Sequence, residues 1–280
     1  MIMKSAFLPF SLPDMPARDA DAQPDRPRAI ASKVPQVALA FWIIKIAATT
    51  LGETGGDALS MTLNLGYAVS TVIFLACFLA ALTWQVRAKA FHPFLYWTVI
   101  VTTTTLGTTM ADFADRSLGI GYVGGSIILF VLVLLVLVAW RFSVGTVSFR
   151  DITSPKVEIF YWMTILFSNT LGTALGDFLA DTPGVGYERG AMVFAGALTL
   201  VAAAYFFTQT SRTLLFWSAF ILTRPLGATL GDLLTKPHEN GGLNLSRISS
   251  SLAIAVFMVL SILVTSKKAG NHPGGAERRG

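Results

Sequence analysis

The stretch 162–177, WMTILFSNTLGTALGD, decides how the chain folds. It is apolar for most of its length, carries a glycine five residues before its end, and closes on an aspartate. The same frame stands three more times: 42–57 is WIIKIAATTLGETGGD, 97–112 is WTVIVTTTTLGTTMAD, and 217–232 is WSAFILTRPLGATLGD. In all four copies a tryptophan precedes the aspartate by 15 residues, Leu-Gly ends five residues before it, and a small residue sits directly in front of it. An internal repeat with constant spacing is the mark of one structural unit used several times.

Working outward, each copy is followed by a second apolar run. Gly-Tyr opens that run in three copies, at Gly66-Tyr67, Gly121-Tyr122 and Gly186-Tyr187, whereas the fourth has a longer loop and Ser246-Arg247. Apolar runs near the roughly 20 residues needed to cross a bilayer fall at about 36–56, 66–86, 94–114, 122–141, 157–178, 190–208, 213–233 and 246–265. Charged residues make up 13% of the chain, about half the share in a soluble domain. Open strands cannot satisfy their backbone in lipid, and the alternation of a barrel strand is absent. The expected fold is therefore all-α and membrane-embedded: eight transmembrane helices arranged as four helical-hairpin repeats of one orientation. The repeats run about 36–90, 91–150, 155–210 and 213–265. Residues 1–34, rich in proline and mixed charge, read as a disordered tail, and 267–280 as a short basic one.

Residues 36–265 resemble a family of uncharacterised bacterial membrane proteins built from four tandem repeats, each with two transmembrane segments and a characteristic tryptophan. The resemblance implies the same architecture and a bacterial membrane, and it implies no activity.

Fifteen of the 21 Lys and Arg residues lie in the two tails and the loops after even helices, and four (Arg116, Arg189, Lys236, Arg247) lie in the loops after odd helices. Basic residues mark the cytoplasmic side, so both termini are expected to face the cytoplasm across the inner membrane. The aspartates then lie in the outer half, about 22 Å along the helix from the tryptophans. The odd loops and adjoining helix ends carry nine acidic residues and predict an outer face that attracts cations. The net charge of +5 is explained by this topology and calls for no nucleic acid.

Two features of the repeat carry chemistry. Gly52 and Gly56, Gly107 and Ala111, Gly172 and Gly176, and Gly227 and Gly231 are small residues four apart, the spacing that lets helices approach closely in lipid. Each aspartate also continues a polar stripe at i, i+4, i+8. The stripes are Thr49, Glu53, Asp57; Thr104, Thr108, Asp112; Asn169, Thr173, Asp177; and Arg224, Ala228, Asp232. Carboxylate and hydroxyl oxygens converging from four helices suit hard cations or protons. Which metal, if any, stays open, because no His or Cys spacing is present: His92, His238 and His272 fall in loops or the tail, and Cys77 lies in an apolar run.

Lys45 and Arg224 stand inside spans. The expected pairings are Lys45 with Glu53 or Asp57, and Arg224 with Asp232 or another repeat's aspartate. That leaves about three of the five carboxylates without a fixed partner. Asp115 and Asp181 read as exposed loop charges, the tryptophans as interface anchors or packing residues, and the Gly-Tyr tyrosines as an outer aromatic belt. The alternative for the aspartates is purely structural, as caps of short outer helices or ties between repeats. The expected function is transport of a small cation, metal or proton-coupled; a cation pore and a non-catalytic scaffold are the alternatives, and self-association stays open. An enzyme is not expected, and neither a cofactor nor an ATP-binding domain is visible.

Overall fold

The computed structural model describes residues 33, 35, 37–145, 147, 154–182 and 185–265. The disorder and basic-tail expectations for 1–34 and 267–280 lie outside these, apart from Lys33. The described residues form eight long helices and no strand. They are α1 (Leu39–Asp57), α2 (Gly66–Arg87), α3 (Pro93–Asp112), α4 (Gly121–Val144), α5 (Pro155–Ala180), α6 (Gly186–Phe207), α7 (Arg212–Thr235) and α8 (Arg247–Val264). Pro93 and Pro155 open their helices at positions where no amide donor is needed, and the Ser154 hydroxyl caps α5 by accepting from the Val157 amide at 3.4 Å. Gly66, Gly121 and Gly186 open α2, α4 and α6 with φ between 71° and 73°. That left-handed turn at the head of each hairpin's second helix suits glycine.

The odd helices close a ring. α1 packs on α3, α3 on α5, α5 on α7, and α7 back on α1. Each even helix lies outside and packs on the odd helix of the following repeat: α2 on α3, α4 on α5, α6 on α7, and α8 on α1. Among the described residues, five segments are long and apolar enough to cross a membrane. Four of them are the even helices, with only 11–17% of the residues in their most apolar stretch buried, whereas that share is 67% in the fifth, in α7. The even helices are therefore the lipid-facing layer. α1, α3 and α5 are richer in threonine and charged residues, most of which are buried within the ring.

Glycine sets the spacing of the ring. A Cβ on Gly52 would lie 2.4 Å from Thr104 Oγ1, on Gly107 3.3 Å from the Asn169 carbonyl carbon, on Gly172 2.6 Å from Arg224 Cγ, and on Gly227 2.1 Å from Thr49 Oγ1. The rule is cyclic: the glycine five before one aspartate meets the residue eight before the next. Gly56 against Thr108, Gly176 against Ala228 and Gly231 against Glu53 repeat it one turn later.

The tryptophans obey the same cycle. The aromatic residue 16 before each aspartate meets the tryptophan of the next repeat: Phe41 with Trp97 at 5.5 Å, Tyr96 with Trp162 at 5.8 Å, Tyr161 with Trp217 at 6.3 Å, and Phe216 with Trp42 at 5.6 Å. Trp97 and Trp162 are buried and Trp42 and Trp217 partly so. The packing reading of the tryptophans holds: they belong to an aromatic girdle around the ring at the end away from the aspartates. At that same end Lys33 Nζ reaches Glu158 Oε2 at 2.8 Å and the Val86 carbonyl at 3.0 Å, a cation set on the C-terminal carbonyls of α2.

Candidate functional site: a sheltered carboxylate cluster

Read along the ring axis from the girdle, equivalent residues form layers. The first holds Lys45, Ile100, Ile165 and Phe220; the next Thr49, Thr104, Asn169 and Arg224; then Glu53, Thr108, Thr173 and Ala228; and last Asp57, Asp112, Asp177 and Asp232. All are buried, and Glu53 and the four aspartates are each at most 3% exposed. The stripes thus face inward, and the ring brings all four together.

Glu53 is the hub. With Asp57 and Asp112 it forms one set of carboxylates whose oxygens lie within 4.8 Å of one another, and with Asp177 and Asp232 it forms a second. Beneath the hub, the Arg224 guanidinium crosses the axis and is held by the other three odd helices. Its NH2 donates to Glu53 Oε2 at 3.3 Å, Thr108 Oγ1 at 2.6 Å, the Thr104 carbonyl at 3.3 Å and the Thr173 hydroxyl, while its NH1 reaches the Thr49 carbonyl at 3.5 Å. The Thr108 hydroxyl lies 3.1 Å from Glu53 Oε2, and the Thr49 hydroxyl 3.0 Å from the Thr223 carbonyl. Asn169 Nδ2 donates to Thr103 Oγ1 at 3.2 Å.

Above the hub, two basic side chains bridge neighbouring repeats. Arg116 meets Asp112 at 2.8 Å and Asp177 at 3.7 Å, and Lys236 meets Asp57 at 2.9 Å and Asp232 at 3.0 Å. Arg247 adds a contact to Asp57 at 3.5 Å. Repeat two is thereby tied to three, and four to one, so a twofold pairing is laid over the fourfold ring. Burial alone would pull the Lys236 ammonium toward deprotonation, but Asp232 and Asp57 outweigh it and hold its pKa well above the ordinary lysine range.

The sequence belongs to a family recognised by its repeat. A family model described as "Repeat of Unknown Function (DUF347)" matches residues 40–91, 95–146, 160–211 and 215–269. The chain belongs to this family. Each matched DUF347 segment takes in one odd helix and the even helix after it, with one tryptophan, one glycine and one aspartate of the frame. No curated protein and no solved structure matches the chain.

The DUF347 ring corrects several expectations about charge. Arg224 pairs with Glu53 of the first repeat and not with an aspartate, because its layer lies below theirs. Lys45 pairs with neither Glu53 nor Asp57. Its Nζ, on a fully buried side chain, has no hydrogen-bond partner and sits 4.2 Å from the centre of the Phe220 ring. The three spare carboxylates shrink in number, since Arg116, Lys236 and Arg247 reach them from the loop ends. Five acids then meet four bases directly, and Lys45, about three turns below the aspartates, is a fifth base that touches none of them. Asp115 is buried, with its Oδ1 filling the space where a Cβ on Gly125 would be. Asp181 is exposed and accepts hydrogen bonds from Tyr122 at 2.5 Å and Tyr187 at 3.4 Å, so these two tyrosines hold the heads of α4 and α6 to the end of α5. The surface at the aspartate end is less acidic than expected, because Glu53, Asp57, Asp112, Asp115, Asp177 and Asp232 are buried. Neither Asp57 nor Asp112 caps the π-helical turn that follows it (Ala58–Thr62 and Phe113–Ser117).

Arg116, Lys236 and Arg247 are the site residues that sequence reading missed, the first two being the bridges. The signal was present: Asp112 and Arg116, like Asp232 and Lys236, are an acid and a base at i, i+4. The equivalent positions in repeats one and three are Met61 and Asp181.

Proposed function

We propose that this DUF347 protein is a secondary transporter of small cations, set in a bacterial cytoplasmic membrane with both termini inside. Five carboxylates drawn from all four repeats, sheltered in two adjoining layers and joined through Glu53, carry this reading. A carboxylate held within a membrane domain is costly, by about 3 kcal/mol at mid-bilayer on insertion scales, and such groups mark ion pathways. The Asp57, Asp112, Asp177 and Asp232 layer would serve as the oxygen ligands, with Thr108 and Thr173 hydroxyls beside them. The aromatic girdle and the Arg224 guanidinium both lie across the axis, which favours a carrier that alternates between states over a standing pore.

The scaffold reading has its own support. Arg224 binds groups from α1, α3 and α5, and Arg116 and Lys236 cross-tie the repeats, so much of the charge braces the ring. A deletion strain grown against a panel of divalent and monovalent cations separates the two. The transport reading predicts a growth defect with one cation, restored by the wild-type gene and not by Asp112→Asn or Asp177→Asn at equal membrane abundance. A flat panel overturns it in favour of the scaffold.

A further inference from the structure

We infer that Glu53, Asp177 and Asp232 form a binding site for a hard divalent cation, with Arg116 and Lys236 as tethered competitors for it. The inference deepens the transport reading and rests on it for the ion's role as cargo.

Oxygens from these three residues, on α1, α5 and α7, lie within 4.8 Å of one another. Oxygens around a cation at about 2.1 to 2.4 Å are separated by no more than that. Two triads meet the distance, and their partners distinguish them. In the Glu53, Asp57, Asp112 set both aspartates hold a close ion pair, Asp57 with Lys236 at 2.9 Å and Asp112 with Arg116 at 2.8 Å. In the other set Asp177 is buried, its Oδ1 receives no hydrogen bond, and its nearest ion-pair partner is Arg116 at 3.7 Å. A buried acceptor left without a donor costs about 1–3 kcal/mol, more when charged. A cation bound there would satisfy it.

The donor set names the class. Three carboxylates with the Thr173 hydroxyl one turn below Asp177 are all-oxygen ligands, suited to magnesium, manganese or calcium. Lys236 already shares itself between Asp232 and Asp57, at 3.0 and 2.9 Å. A metal on Asp232 would leave it a ready place on Asp57. Arg116 holds Asp112 more closely than Asp177 and can withdraw in the same way.

The test is Mn2+ binding to the purified full-length chain in detergent, read as the loss of the free-ion EPR signal. The expected result is one saturable Mn2+ per chain, displaced by Mg2+ or Ca2+ and not by Na+ or K+. Asp177→Asn should weaken it at least about tenfold, and Arg116→Gln should tighten it several-fold. Folded wild-type protein that takes up no Mn2+ at millimolar concentration overturns the inference. So does binding lost in Asp57→Asn and kept in Asp177→Asn, which would assign the metal to the other triad. Because wild type alone can refute the site, an unfolded variant does not protect it. Saturable Mn2+ binding without transport in vesicles supports the site and overturns the transport reading; monovalent transport without Mn2+ binding does the reverse.

Discussion

Lys45 and Arg224 are both buried cations, yet they stand in opposite situations. Arg224 is surrounded by oxygens and paired with Glu53. Removing one partner of such a pair strands the other and costs about 3–5 kcal/mol. Arg224→Met is therefore expected to lower the thermal midpoint of the detergent-solubilised protein sharply. Adding Glu53→Gln to it should restore part of the loss, and a double variant no better than the single would refute the pairing. Lys45 has a ring face and no acceptor. A cation–π contact is worth about 2 kcal/mol or somewhat more when desolvated, less than the several kcal/mol of burying an ammonium. Lys45→Met keeps the volume and removes that burden, so it is expected to leave the midpoint unchanged or raise it. A clear drop would mean that Lys45 has a stabilising partner in the native state.

Between helices, contact depends on whether a methyl group has room. A Cβ on Gly52 would meet Thr104 at 2.4 Å, whereas one on Gly55, in the same helix, meets nothing within 4 Å. Gly52→Ala should force α1 from α3 and destabilise the protein. Gly55→Ala should be neutral or stabilising by up to about 1 kcal/mol, the helix propensity difference. Equal effects would contradict the packing. The eight helices were legible in sequence, their observed ends lying within a few residues of the apolar runs, because lipid demands long apolar segments whatever their partners. The cyclic neighbour relation was not legible, since a spacing of 15 or 5 says which face a residue occupies and not which helix it meets. Arg116 and Lys236 were misplaced for a related reason. They were counted as loop charges, but the helical path continues past the aspartate, so the residue four further on hangs back over the ring axis.

At the scale of the whole molecule, four similar units make a ring whose differences carry the chemistry. Three stripes contribute hydroxyl or amide groups at the layer where the fourth contributes Arg224, and only repeat one contributes a glutamate. Only repeats two and four carry the bridging bases. Fourfold geometry positions the acids, and these departures leave Asp177 with a long ion pair and an oxygen that receives no hydrogen bond. The part legible beforehand was the inward stripe of acids; the balance of charge was not, because it depends on side chains arriving from neighbouring repeats.

The most direct measurement is ion uptake by proteoliposomes holding the purified chain, run against a panel of divalent and monovalent cations beside Asp177→Asn protein of matched folding. Saturable uptake of one cation by wild type, reduced at least about tenfold in the variant, is the predicted result. Folded wild type that moves none of them, or a variant that moves the ion as fast as wild type, would contradict the account.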